Sequence, residues 1–171
     1  DIEFCLAECL QKNRSFIISH NDYILNQDES RKILSLLNKL GSGLPLAYVL
    51  GYKPFYKHNF LVNKNVLIPR DETELIIDKI LDIGDDIFKK RKYLNVIDLG
   101  AGSGCIGLTV AIERPKWRII LIEKSLSAIE ILQKNKEIHG AKNAHIIISD
   151  WLHALDQNSV NMIVANPPYV E

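Results

Sequence analysis

The 171-residue chain is 47% hydrophobic and 25% charged, with 21 basic and 21 acidic side chains, an ordinary balance for a soluble globular protein of one domain plus a smaller one. Zero formal net charge removes the global positive field of a dedicated nucleic-acid binder. No stretch approaches the ~20 apolar residues that span a bilayer, and the acidic N-terminus lacks a signal-peptide pattern.

A soluble, cytoplasmic protein is therefore expected. The three cysteines, Cys5, Cys9 and Cys105, form no repeated CxxC pair, so neither a disulfide framework nor a structural zinc site is expected. Cys5 and Cys9 read as small buried residues of an apolar helical pattern, and no metal is assigned.

Residues 1–43 read as a small helical domain. Phe4, Leu6, Ala7 and Leu10, then Ile33, Leu36, Leu37 and Leu40, recur at helix spacing. Polar residues 26–30 start the second run, and Gly41 and Gly43 stop it. The chain opens without a methionine, so this domain is expected to be cut short.

Residues 44–70 change character. Pro45, Gly51 and Pro54 punctuate short aromatic and β-branched runs over 48–50 and 60–68, and Asn63 and Asn65 suit a tight turn. This predicts a β-hairpin linker. Asp71 or Thr73 is the expected cap of a helix over 74–87.

From Tyr93 onward, within a domain spanning 71–171, apolar runs at 94–99, 118–122, 144–148 and 161–165 alternate with helical patterns at 106–112 and 125–139. Continuous apolar strands separated by helices predict a parallel α/β sheet, doubly wound and covered on both faces. The chain ends just after the fourth strand, which implies a sheet that is truncated or completed elsewhere.

Two short segments carry chemistry. Gly100-Ala101-Gly102-Ser103-Gly104 follows a predicted strand that ends in Asp98 and Leu99, and precedes a helix. Glycine allows positive φ and close approach of backbone to a ligand, and helix amides beyond it bind anionic groups. Glu123 ends the next strand, about 23 residues on, near the spacing at which an acid meets a ribose diol. A dinucleotide loop reads GxGxxG. Here an acid precedes the loop, which would repel a pyrophosphate and attract a sulfonium and an ammonium. The pattern therefore favours S-adenosylmethionine over a dinucleotide.

Asn166-Pro167-Pro168-Tyr169 follows the fourth strand, at the carboxyl edge where open α/β sheets place ligands. The prolines stiffen the loop. An amide or aromatic amine nitrogen is a poor nucleophile with two N–H donors. The Asn166 side-chain oxygen can accept one, and a backbone carbonyl such as that of Pro167 the other. That fixes the nitrogen and favours the charge that grows on it, while Tyr169 supplies a flat wall. Asp150 and Trp151 end the third strand. Asp150 can accept from an adenine amino group, and Trp151 either stacks on the base or sits in the core.

With these residues in place, the sequence resembles the release-factor glutamine methyltransferases over nearly its whole length. The likeness rests on Pro45-Leu46-Ala47-Tyr48, Gly51, Phe55-Tyr56, the segment 66–74 with its Ile68-Pro69-Arg70-Asp71-Glu72-Thr73-Glu74, the glycine loop, Ser149-Asp150-Trp151 and Asn166 to Tyr169. The resemblance implies a helical substrate-recognition domain, a hairpin linker and a Rossmann-like methyltransferase sheet. It implies methylation of the glutamine in a Gly-Gly-Gln motif of a peptide-chain release factor, the expected protein partner. By position, Gly100 to Gly104, Glu123 and Trp151 would bind the cofactor, Asn166 to Tyr169 the glutamine, and Arg70 and Glu72 would shape the site. The family often has Pro where Asp71 stands and Asp where Glu123 stands. Two other readings remain: an exocyclic-amine methyltransferase of DNA or RNA, which shares Asn-Pro-Pro-Tyr but usually lacks the linker segment, and an inactive cofactor-binding fragment.

Overall fold

A computed structural model describes residues 2–153 and 160–167. The chain divides into two compact units, Asp1–Gly51 and Tyr52–Glu171.

The first unit is helical: α1 Ile2–Leu10, α2 Arg14–Ser19, α3 Gln27–Gly41 and α4 Leu46–Leu50. Helix α3 begins with a reciprocal capping box. Asn26 accepts from the Glu29 amide, and the Glu29 carboxylate accepts from the Asn26 amide. It ends where Gly43 takes φ +84. Cys5, Ala7, Ile33 and Leu36 are buried, and α3 packs on α1 and α4. Residues 48–50, expected as an extended run, lie in α4. Pro45 is well suited to a helix start, and Gly51 at φ +83 ends the helix. Those two punctuation marks outweigh the β-branched run between them.

The second unit opens with an antiparallel hairpin, β1 Tyr52–Phe55 and β2 His58–Leu61. Its turn falls at Tyr56-Lys57, with Tyr56 at φ +55, and not at Asn63 and Asn65 as expected. The Asn63 side chain instead accepts from the Asn65 amide in the loop that follows. Phe55 and Phe60 meet edge to face and are fully buried.

A 3₁₀ turn, Asp71–Thr73, runs straight into α5, Glu74–Arg91. Neither expected cap works. Thr73 has helical φ and ψ and makes no capping bond, while Asp71 pairs with Lys53 of β1 at 2.7 Å.

The rest alternates: β3 Asn95–Leu99, α6 Cys105–Glu113, β4 Arg118–Glu123, α7 Leu126–Ile138, β5 Ala144–Ile148 and β6 Met162–Ala165. All four strands are parallel, in the order β5-β4-β3-β6. Strand side chains sort with period two. Val96, Ile119, Leu121, Ala144 and Val164 join Ile77 and Ile80 of α5, Leu108 of α6 and Leu132 of α7 in the main core. Ile97, Leu99, Ile120 and Ile122 cluster separately on the opposite face. The winding reverses between β3 and β6. That is a switch point, where the first turns of successive crossovers diverge and leave a crevice at the carboxyl ends.

Asn135 of α7 is fully buried and ties the hairpin to the sheet. Its Nδ2 donates to the carbonyls of Leu61 (3.0 Å) and Ser103 (2.8 Å), and its Oδ1 accepts from the Leu61 amide (2.7 Å). A buried carboxamide so engaged leaves little polar demand unmet.

Candidate functional site

A cavity of about 370 Å³ opens at the switch point, within the range of small-molecule sites. The register pairs Leu99 with Ala165. Gly100 and Asn166 therefore leave adjacent parallel strands side by side, and both line the cavity together with Gly102, Glu123, Asp150, Trp151 and Pro167.

The glycine loop is shaped by backbone needs. Gly100, Gly102 and Gly104 all have positive φ. The Gly100 and Ala101 amides donate to the Ile122 carbonyl at 2.9 Å, which folds the loop across the end of β4. Only Gly100 and Gly102 face the cavity. Ala101 and Ser103 are buried, and a side chain on Gly104 would run into Leu132 and Leu108. Of the five loop residues expected at the cofactor, three therefore build the loop from beneath.

Glu123 ties the glycine loop to the turn that follows β4. Its Oε2 accepts from the Gly102 amide, and its Oε1 from the amides of Lys124 and Ser125, all at 2.9 Å. A carboxylate offers about four lone-pair sites, so three backbone bonds fix it and leave capacity for a ligand hydroxyl. Asp150 lies 3.5 Å from Lys124 Nζ on the surface. Trp151 takes φ +54 and is 56% exposed, which removes the core alternative for it.

Asp98 does not line the cavity. Period two places it on the Val96 face, beneath α6, where it is 3% exposed and accepts from the Gly107 amide at 2.8 Å. Burial pushes its carboxyl up to about 6, opposed by the Gly107 bond and assisted by the nearby Glu123 charge. Its work is to hold the start of α6 under the loop. Burial likewise pushes the Cys105 thiol up to about 12, which removes it as a nucleophile at neutral pH.

On the other lip, Asn166 is half-buried, and its Nδ2 lies 3.4 Å from the Thr73 hydroxyl. Pro168 and Tyr169 lie outside the described residues. Arg70 and Glu72 are exposed and absent from the cavity wall. The linker contributes Asn65 and Leu67 instead. The sequence marks Asn65 only as a turn residue and Leu67 only as part of the 66–74 segment, neither as part of a cavity wall. Leu99, Ile122, Lys124, Ser125, Ala128 and Ser149 complete the wall, all of them at the strand ends or, for Ala128, in the first turn of α7. Among the described residues, no group of three or more His, Cys, Asp or Glu is placed to hold a metal, and no helix is long and apolar enough to cross a membrane.

A parallel sheet with a glycine loop and an asparagine at neighbouring strand ends defines a Rossmann-like methyltransferase fold. The N-terminal domain of human METTL16, solved in complex with SAH, shares that fold with a TM-score of 0.51 over 64% of this chain and 46% of that one, at 20% identity. The chain belongs to the methyltransferase small domain family, which matches residues 77–171, and residues 1–51 match the PrmC N-terminal domain. The release factor glutamine methyltransferase of Coxiella burnetii is 35% identical over 99% of this chain and 60% of its own length. That of Mycoplasma mycoides is 34% identical over the whole of this chain and again 60% of its own. The chain thus spans about 60% of the length of these relatives.

Proposed function

We propose that the protein carrying this chain transfers a methyl group from S-adenosylmethionine to the side-chain amide nitrogen of the glutamine in a Gly-Gly-Gln motif of a peptide-chain release factor. The observation that carries this reading is the single cavity shared by the glycine loop and Asn166 across the β3–β6 switch point. The names of the relatives support the choice of substrate.

The cavity's chemistry fits the cofactor. Gly100 and Gly102 present backbone without side chains, Leu99, Ile122 and Ala128 supply apolar wall, and Glu123 and Asp150 are acidic. Glu123 would accept from a ribose hydroxyl, Asp150 from the adenine amino group, and Trp151 would lie against the base. When bound, S-adenosylmethionine supplies an electrophilic methyl group on positively charged sulfur.

The chain's own part is positioning. Asn166 Oδ1 accepts one N–H of the glutamine amide, and the Pro167 carbonyl accepts the other. Two acceptors hold the nitrogen in place and stabilise the positive charge that develops on it. Tyr169 is assigned the flat wall, and Pro168 a place in the substrate-binding loop on the strength of the family pattern. No strong base is needed before transfer, because the methylated nitrogen is strongly acidic and its surplus proton passes to water.

The test is transfer of labelled methyl to a release factor, using the complete protein that carries this chain. Label is expected on the Gly-Gly-Gln glutamine and absent from a substrate in which that glutamine is alanine. Label on DNA or RNA with none on the release factor would transfer the assignment to an exocyclic amine.

A further inference from the structure

The linker motif that distinguishes this sequence, residues 68–74, sends neither Arg70 nor Glu72 to the cavity, yet one of its residues reaches the site. Thr73 is 7% exposed. It stands where a helix-capping hydroxyl is expected, but its φ and ψ are −68° and −18°, and it makes no capping bond. Capping needs an extended residue, and the 3₁₀ turn running directly into α5 denies it that geometry. A buried hydroxyl calls for a partner. Among the described residues, the partner of Thr73 Oγ1 is Asn166 Nδ2, 93 positions away.

We infer that Thr73 is a positioning residue, whose hydroxyl anchors the Asn166 carboxamide beside the cavity. The inference rests on the substrate-binding role proposed for Asn166. A carboxamide is planar, with its nitrogen and oxygen on opposite edges. Engaging the nitrogen therefore limits rotation about the terminal torsion, which is otherwise broad, and fixes the direction from which the oxygen can accept.

The support behind Thr73 is stiff. Pro69 and Val66 are buried on one side of it, Ile77 and Ile80 lock α5 into the core on the other, and Asp71 is tied to Lys53. The motif thus acts as a buttress: its charged side chains stay outside, and its threonine steadies the residue that reads the substrate.

Four proteins test this: unaltered, Thr73→Val, Thr73→Ser and Thr73→Ala, each assayed for methyl transfer to a release factor and for binding of S-adenosylhomocysteine. Valine keeps the shape and removes the hydroxyl. It is expected to lower kcat about tenfold or more while the dissociation constant stays within about twofold, and serine is expected to restore kcat. A residue that served packing alone would lower melting temperature and cofactor binding together and would not be rescued by serine. If the valine protein does not fold, the serine and alanine proteins still differ by the hydroxyl, and a kcat gap of about tenfold is expected between them. Equal kcat for serine and alanine, or normal kcat for valine, overturns the inference. Absence of transfer by the unaltered protein overturns the substrate reading instead.

Discussion

The glycine loop after β3 is held from within its own neighbourhood, whereas Asn166 after β6 is held from 93 positions away. Glu123, 21 residues beyond Gly102, fastens the first loop through a backbone amide, and Asp98, nine residues before Gly107, fastens the start of α6 beneath it. Those bonds ask little of distant sequence. The second loop depends on a side chain delivered by the linker and the start of α5. One lip is therefore a property of the α/β unit itself, and the other belongs to that unit joined to its linker.

The sharpest way to separate the two lips is Asn166→Ala. It is expected to abolish transfer while cofactor affinity stays within about tenfold, ~1.4 kcal/mol, read by turnover and by titration. Matching losses in both would mean that the lips do not divide the labour. Crowding the first lip comes next. A Cβ on Gly107 would lie 2.2 Å from Leu121 and 2.9 Å from Asp98, so Gly107→Ala is expected to cost about 1–3 kcal/mol of stability by overpacking, measured by denaturant unfolding. Glu123→Ala removes the acceptor of three amides and should raise the cofactor dissociation constant by about tenfold or more. An unchanged constant would detach Glu123 from the ribose.

A subtler contrast is in pH. The Asp98 carboxyl sits at about 6 in the fold against its ordinary 3.8. Between those values the folded protein holds a proton that the unfolded chain has released. This group therefore makes stability fall as pH rises from about 4 to about 6, and the loss is complete above that window. The difference in melting temperature between the unaltered protein and Asp98→Asn should follow that curve. A difference independent of pH would contradict the burial of an ionising group there. The smallest effect is expected from Asp71→Ala. Its ion pair with Lys53 is largely exposed on the Asp71 side, so a few tenths of a kcal/mol is the expected loss.

The sheet was readable because its strands are continuous apolar runs, although only the central β3 and β4 are buried on both faces, while β5 and β6 keep exposed residues. The runs at 94–99, 118–122, 144–148 and 161–165 became β3 to β6 with ends shifted by at most one residue. The hairpin was read less well. Its turn uses Tyr56 at positive φ, a residue type that carries no turn signal, while the asparagines that do carry one serve a later loop. Residues 48–50 look extended by composition but sit between a proline and a glycine that favour a short helix. At the site, Gly100, Gly102, Glu123 and Asn166 stood out because strand ends and glycines mark backbone geometry. The place of Asp98 beneath α6 was also available from period two, since it shares a face with Val96. Thr73 and Asn65 were not readable as site residues. Their relevance comes from chain segments brought together across long separations, and no local pattern encodes that.

Asn135 has a consequence for how the second unit opens. One carboxamide in α7 clasps Leu61 through both its carbonyl and its amide, and grips the Ser103 carbonyl as well. Peeling the hairpin from the helix removes two of the three bonds that fix this carboxamide, and so loosens its grip on the loop beneath it. In hydrogen exchange, the Leu61 amide and those of the loop are expected to open as one cooperative unit. A protein that grasped the hairpin would thus be pulling, through a single side chain, on the floor of the glycine loop.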